Sequence, residues 1–211
     1  MAGTTKNQPQ SSGKSRSVPI VGIVVAVVAV LAVIAVVFAG NTAVGSEFGE
    51  PQVSGQLTPA PQNTSADTDA TGETVPIVIG EDFDGNEVRI ENDGRAKAIA
   101  LLAHWCPHCQ NEVPEVQAWL DSGGGVDGVD MYSVATSMRS TGDNYPPSEW
   151  LDREGWTVPV IVDDEQSSVY TAYGSGGFPF WVFVNSDGTV AVRMQGFIPI
   201  SELEQVMAAL D

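Results

Sequence analysis

The chain has 211 residues, is 43% hydrophobic and carries a formal net charge of -18. A surface that acidic excludes nucleic acid as the natural partner, because the phosphate backbone would repel it. The length left after an apolar amino-terminal run suits one domain with a real core.

Charge is unevenly spread. Lys6, Lys14 and Arg16 are the only charged side chains before Glu47, and all 27 acidic residues lie from Glu47 onward. Between them, Val18 to Ala39 is apolar throughout. A run of that length, about 20 residues, spans the hydrocarbon core and exceeds a signal-peptide core. The basic residues before it predict a cytoplasmic segment over 1–17, a single-span anchor over 18–40 and a domain outside; cleavage after Ala39 is the alternative. Residues 41–74 are rich in Gly, Pro, Ser, Thr, Asp and Glu and lack periodicity. That predicts a disordered acidic linker, because little apolar surface is available to offset the ordering entropy.

The predicted folded domain covers 75–211. Val75 to Ile79 reads as a strand or lead-in, and Glu87 to Ile90 as a short strand after the Asp84-Gly85-Asn86 turn. Lys97 to Ala103 reads as a buried central strand. A helix follows from Pro107, with Val113, Val116, Trp119 and Leu120 as its apolar stripe, a kink at Pro114 and an end at Gly123-Gly124-Gly125. Strands are predicted at Val129 to Ala135, Val158 to Val162, Phe180 to Val184 and Thr189 to Met194. Short helices are predicted at Ser148 to Glu154 and Ser167 to Tyr173. Asn185 to Gly188 reads as a hairpin turn, and Ser201 with Glu204 as a capping box opening a last helix. Strands alternating with helices predict an α/β sheet covered on both faces.

The two cysteines, Cys106 and Cys109, sit in Trp105-Cys106-Pro107-His108-Cys109, at the junction of the central strand and the long helix. A C-x-x-C there closes and reopens a small disulfide ring. Cys106 falls at the helix start, where free N–H groups and the helix dipole favour thiolate, which makes it the expected nucleophile. Cys109, one turn inside, is the expected resolving thiol. His108 offers a further donor or positive charge, and Glu112 is a candidate proton relay to the buried cysteine. Stabilising the thiolate makes a pair more oxidising, so the reading leans to disulfide formation or isomerisation. The alternatives are a reductase of the same fold, for example in cytochrome maturation, and a non-catalytic binding or copper-handling module using His104 or His108.

The Trp105-to-Cys109 motif, Pro114 in the helix and Gly177-Phe178-Pro179 before the terminal hairpin carry a resemblance. Over roughly Val75 to Asp211 the chain resembles the thioredoxin-fold thiol–disulfide oxidoreductases, in their membrane-tethered extracytoplasmic branch. The resemblance implies a central mixed sheet flanked by helices and a cis proline at Pro179 that faces the pair. It also implies a substrate groove beside Trp105, Phe178 and Pro179. It matches Glu112 to a helix glutamate of the anchored thiol reductases, whereas Pro107-His108 resembles the disulfide-forming oxidases. The strand acid of thioredoxins, six residues before the first cysteine, is Ala100 here, and Phe178 replaces a small or β-branched residue. Protein thiols or disulfides are the implied substrates, with a membrane redox partner resetting the pair. No cofactor or metal is implied, since electrons move between sulfurs.

Overall fold

The central strand organises the molecule. In a computed structural model, which describes residues 1–3 and 47–211, the first four strands are β1 (Gln52–Ser54), β2 (Ala66–Asp67), β3 (Ile77–Glu81) and β4 (Glu87–Ile90). The fifth, β5 (Ala96–Leu102), is buried at every position. A strand buried on both faces reads as a continuous apolar run rather than an alternating one, and this one does. Then come α1 (Pro107–Asp121), β6 (Val129–Ala135), α2 (Pro147–Arg153), β7 (Val160–Val162) and α3 (Ser168–Ala172). The chain ends with β8 (Phe180–Val184), β9 (Val190–Gln195) and α4 (Ile200–Met207).

Six strands form one mixed sheet in the order β2-β9-β8-β5-β6-β7, and β1-β3-β4 form a separate antiparallel sheet. β5 pairs parallel with β6 and antiparallel with β8. Side chains alternate across the sheet. Ala98, Ala100 and Leu102 face a layer built from α1, α2 and α4, through Val113, Val116, Trp150, Leu203 and Met207. Ile99 and Leu101 face the opposite layer, with Val78, Ile90 and Val169. The two small alanines leave room for α1 to lie close to the strand that precedes it. This is the thioredoxin-like α/β fold, a mixed sheet flanked by helices.

Two expectations need correction. Part of the predicted linker is ordered: within 47–74 lie β1 and β2, and Leu57, Ala60 and Ala70 are buried. The forces holding it are largely polar and long-range, so local composition does not show them. Leu57 N–H donates to Ala172 O at 2.8 Å and Ala60 N–H to Gly174 O at 2.7 Å. The fully buried Arg193 reaches Asp67 through Nη2 at 2.8 Å and Nε at 3.1 Å, and Nη1 donates to Thr58 O at 2.6 Å. Gly174 (φ +107) passes so close that a Cβ would sit 2.3 Å from that Nη1. The capping box is also absent. α4 begins at Ile200 with Pro199 at its N-cap and no side-chain cap, and Glu204 instead accepts from Trp119 Nε1 at 2.8 Å. Smaller differences lie at element ends, where β7 starts after Pro159 and α1 runs on through Pro114 without interruption.

The predicted cytoplasmic segment and anchor, 1–17 and 18–40, lie outside the described residues apart from Met1 to Gly3. Among the described residues no helix is long and apolar enough to cross a membrane.

A buried cation left without its partner is strongly destabilising. Asp67→Ala is therefore expected to lower unfolding stability by about 3–5 kcal/mol in urea titration, and Asp67→Leu with Arg193→Met to recover most of it. An unchanged midpoint in Asp67→Ala would show that the segment does not hold the fold.

Candidate functional site

α1 starts where β5 ends. Cys106 is its N-cap residue, in extended conformation, and Pro107 fills the first helical position, where a missing N–H costs nothing. Cys106 N–H donates to Ala103 O at 3.0 Å, so the chain turns sharply from strand to helix. Both cysteines are free thiols. Cys106 keeps 6% of its surface exposed and Cys109 none.

Their acidities are pulled apart. Cys106 is lowered to about 6, first by the Cys109 thiol, which donates to it. Burial opposes this; the N–H groups of Cys109 and His108 support it, and the His108 charge adds least. Cys109 is raised well above the ordinary thiol range, first by burial, then by the hydrogen bond and charge of Cys106. One sulfur is thus a ready nucleophile and leaving group, and the other is held protonated.

The loop before β8 lies against Cys106. The Phe178–Pro179 peptide is cis, and Phe178 O lies 3.6 Å from Cys106 Sγ, which donates to it when protonated. The Phe178 ring stacks on Tyr170 at 4.8 Å and meets the Trp105 edge-on at 5.8 Å. On its other side Trp105 carries the Arg139 guanidinium, 3.6 Å from the ring centroid, and Trp105 Nε1 donates to Ser137 O at 2.7 Å. His104, buried, fixes the same loop: its Nε2 accepts from Arg139 N–H at 3.1 Å, which leaves Nδ1 to donate to Asp143 O at 2.8 Å.

Glu112 is one turn beyond Cys109 on the same helix face. It is buried, and its carboxylate accepts from Ile198 N–H at 2.9 Å and Trp181 Nε1 at 3.1 Å. Burial raises it to about 7, against those two hydrogen bonds.

Residues 70–207 match the Redoxin family model. This chain belongs to the Redoxin family. It is similar to thiol-disulfide oxidoreductase ResA of Geobacillus thermodenitrificans (strain NG80-2), 26% identical over 143 residues, 67% of this chain and 78% of the relative. It is also similar to sporulation thiol-disulfide oxidoreductase A of Bacillus subtilis (strain 168), 21% identical over 132 residues, 62% of this chain and 78% of the relative. A DsbF homologue from Corynebacterium diphtheriae shares the fold with a TM-score of 0.57 at 16% identity, covering 74% of this chain and all (100%) of that one. The Redoxin chain is thus a thioredoxin-fold protein related to thiol–disulfide oxidoreductases, with its Cys-x-x-Cys pair in the position that disulfide exchange requires.

In this Redoxin site Cys106, Cys109, Trp105, Phe178, Pro179 and Glu112 converge. His108 stands exposed on the first turn of α1. His104 has both ring nitrogens taken by backbone groups of the 137–143 loop. Among the described residues no three His, Cys, Asp or Glu side chains gather as a metal site. Trp181 stacks on Phe183 at 5.9 Å and doubles as a Glu112 donor. Sequence reasoning missed Arg139 and Tyr170. The signal for Arg139 was present: it is the only Lys or Arg between Lys97 and Arg153. Tyr170 had none, since α3 is too short to show a face.

The thiolate absorbance of the reduced protein near 240 nm is expected to titrate with a midpoint of about 6. Cys109→Ala removes the largest stabilising contact and should move that midpoint upward while leaving the backbone donors. A midpoint in the ordinary thiol range in the unsubstituted protein would dismiss the assignment of Cys106 as nucleophile.

Proposed function

We propose that this thiol–disulfide oxidoreductase exchanges disulfides with proteins outside the cytoplasm, and that it runs toward disulfide donation or isomerisation. The observation that carries the reading is the divided acidity of the pair. In the donating direction a substrate thiolate attacks Cys106 Sγ, the Cys106–Cys109 bond breaks, and Cys109 leaves and takes a proton. A second substrate thiolate then attacks the substrate sulfur of the mixed disulfide. It displaces Cys106 as a thiolate, and a thiol that titrates at about 6 is a good leaving group. The substrate leaves with one disulfide, and the pair keeps two electrons.

Direction follows from the same sulfur. At pH 7 a thiol titrating at about 6 is mostly ionised, which favours the reduced pair about tenfold over one held as thiols, or about 30 mV toward oxidant. Run in reverse, the same exchange is the reductase reading, with Cys106 attacking a substrate disulfide and Cys109 resolving.

Glu112 is the proton carrier for Cys109 in this reading. Its carboxylate loses its proton as pH rises through about 7. The buried thiol must gain or lose a proton where water is excluded, and a relay with a pKa near the working pH is best suited to that. Trp105, Phe178 and Pro179 line the groove for an extended substrate segment, with exposed His108 at the rim. The predicted anchor, residues 18–40, would hold the domain at the outer face of the membrane of a bacterial cell envelope, where a membrane redox partner withdraws the two electrons.

The redox potential tests the direction. It should lie on the oxidising side of about -270 mV, toward the -120 mV of strong disulfide donors; a value at or below -270 mV assigns the reductase. In stopped-flow, resolution of a Cys106 mixed disulfide by Cys109 is expected to quicken as pH rises through about 7. Glu112→Gln should slow it by about 100-fold, the low end of general acid–base effects, and flatten that rise. A rate unaltered by the substitution would remove Glu112 from the mechanism.

A further inference from the structure

Among the described residues, the one arginine at the site is free of acids. All 27 acidic residues of the chain lie in the described domain, and every other described Lys or Arg has found one of them. Arg89, Arg95, Lys97, Arg153 and Arg193 each form an ion pair. Arg139 forms none among the described residues, although it is exposed in a strongly acidic domain. Its guanidinium carbon sits over the Trp105 ring instead, 3.6 Å from the centroid. A guanidinium stacked on an aromatic face keeps its N–H donors pointing outward in its own plane, in the fork that fits a carboxylate.

Its place is also fixed. The Arg139 backbone N–H is bound by His104 Nε2, the neighbouring Ser137 O accepts from Trp105 Nε1, and Asp143 O accepts from His104 Nδ1. The loop is pinned at three points to the two residues that precede Cys106. Arg139, Trp105, Phe178 and Tyr170 therefore form one continuous wall, and the carbonyl of its third member touches Cys106 Sγ.

We propose that Arg139 is a carboxylate-binding subsite, selecting substrate segments with an Asp or Glu within about two residues of the reacting cysteine. This rests on the exchange function proposed above. The net charge of -18 repels acidic proteins at long range, but screening at physiological salt confines charge effects to about 8 Å. The subsite therefore acts at contact, choosing among sequences rather than drawing partners in.

The test uses the full-length reduced protein and two symmetric peptide disulfides, one with Glu on both sides of its cysteine and one with Gln. Cys106 attacks the peptide disulfide and releases one peptide thiol; Cys109 then attacks the mixed disulfide and releases the second, leaving the Cys106–Cys109 bond. The ratio of the second-order rate constants for the Glu peptide over the Gln peptide is expected to fall about fivefold in Arg139→Gln, the upper scale of an exposed ion pair. It should persist in Arg89→Gln, which removes the same charge elsewhere. The Cys106 titration midpoint should stay at about 6 in Arg139→Gln. An unchanged ratio overturns the subsite, as does a midpoint that rises while the ratio holds, since the arginine would then serve the thiolate. If neither peptide reacts faster than with a free thiol, the exchange function itself fails instead.

Discussion

The site depends on one sulfur–hydrogen contact held out of water. Cys109 is fully buried, so its charged form is strongly disfavoured and its thiol keeps the proton. That proton is directed at Cys106, where it becomes the largest single stabiliser of the neighbouring thiolate. In water the contact would be weak, because solvent would compete for both sulfurs. Burial supplies the asymmetry, and the start of a helix supplies the remaining donors.

The fold makes that contact through a chain of small constraints. β5 is buried along its length and apolar from Ala98 onward, as suits its place at the middle of the sheet. Its α1-facing positions are Ala98 and Ala100, so the helix can pack low enough to bury Cys109. Pro107 fixes the first turn without wasting a donor. The wall beside the pair begins in a distant part of the chain, and β8 pairing directly with β5 brings Phe178 and Pro179 next to Cys106. The wall is completed from a third region, the loop after β6, which is parallel to β5 and so ends at the same edge of the sheet. Parallel strands on one side and an antiparallel strand on the other deliver three loops to one place.

Much of this was legible in the sequence because it is written locally. The apolar run Ala98 to Ala103, the Pro107 helix start, the hairpin at Asn185 to Gly188 and the cysteine spacing each announce themselves within a few residues. Glu112 was legible too, through its match to a helix glutamate of the anchored thiol reductases. What stayed hidden depends on partners far along the chain. The segment before residue 75 looked unable to fold because it offers little apolar area, yet a bidentate ion pair between Asp67 and Arg193 and backbone bonds to Ala172 and Gly174 order it. The capping box was a plausible local pattern that lost to a tertiary one, since Glu204 is drawn to Trp119. His104 entered only as a possible ligand in the copper-handling alternative, and it is a fastener, both nitrogens spent on loop backbone.

The move of the buried acid from strand to helix has a mechanical meaning. In thioredoxins the corresponding acid projects from the sheet, so its separation from the inner sulfur depends on how helix and sheet pack. Here Ala100 vacates that post and Glu112 rides on the same rod as Cys109, three residues along. Their spacing is set by the pitch of one helix. Were a docked polypeptide to shift α1 against the strands, Glu112 and Cys109 would travel together and keep their separation.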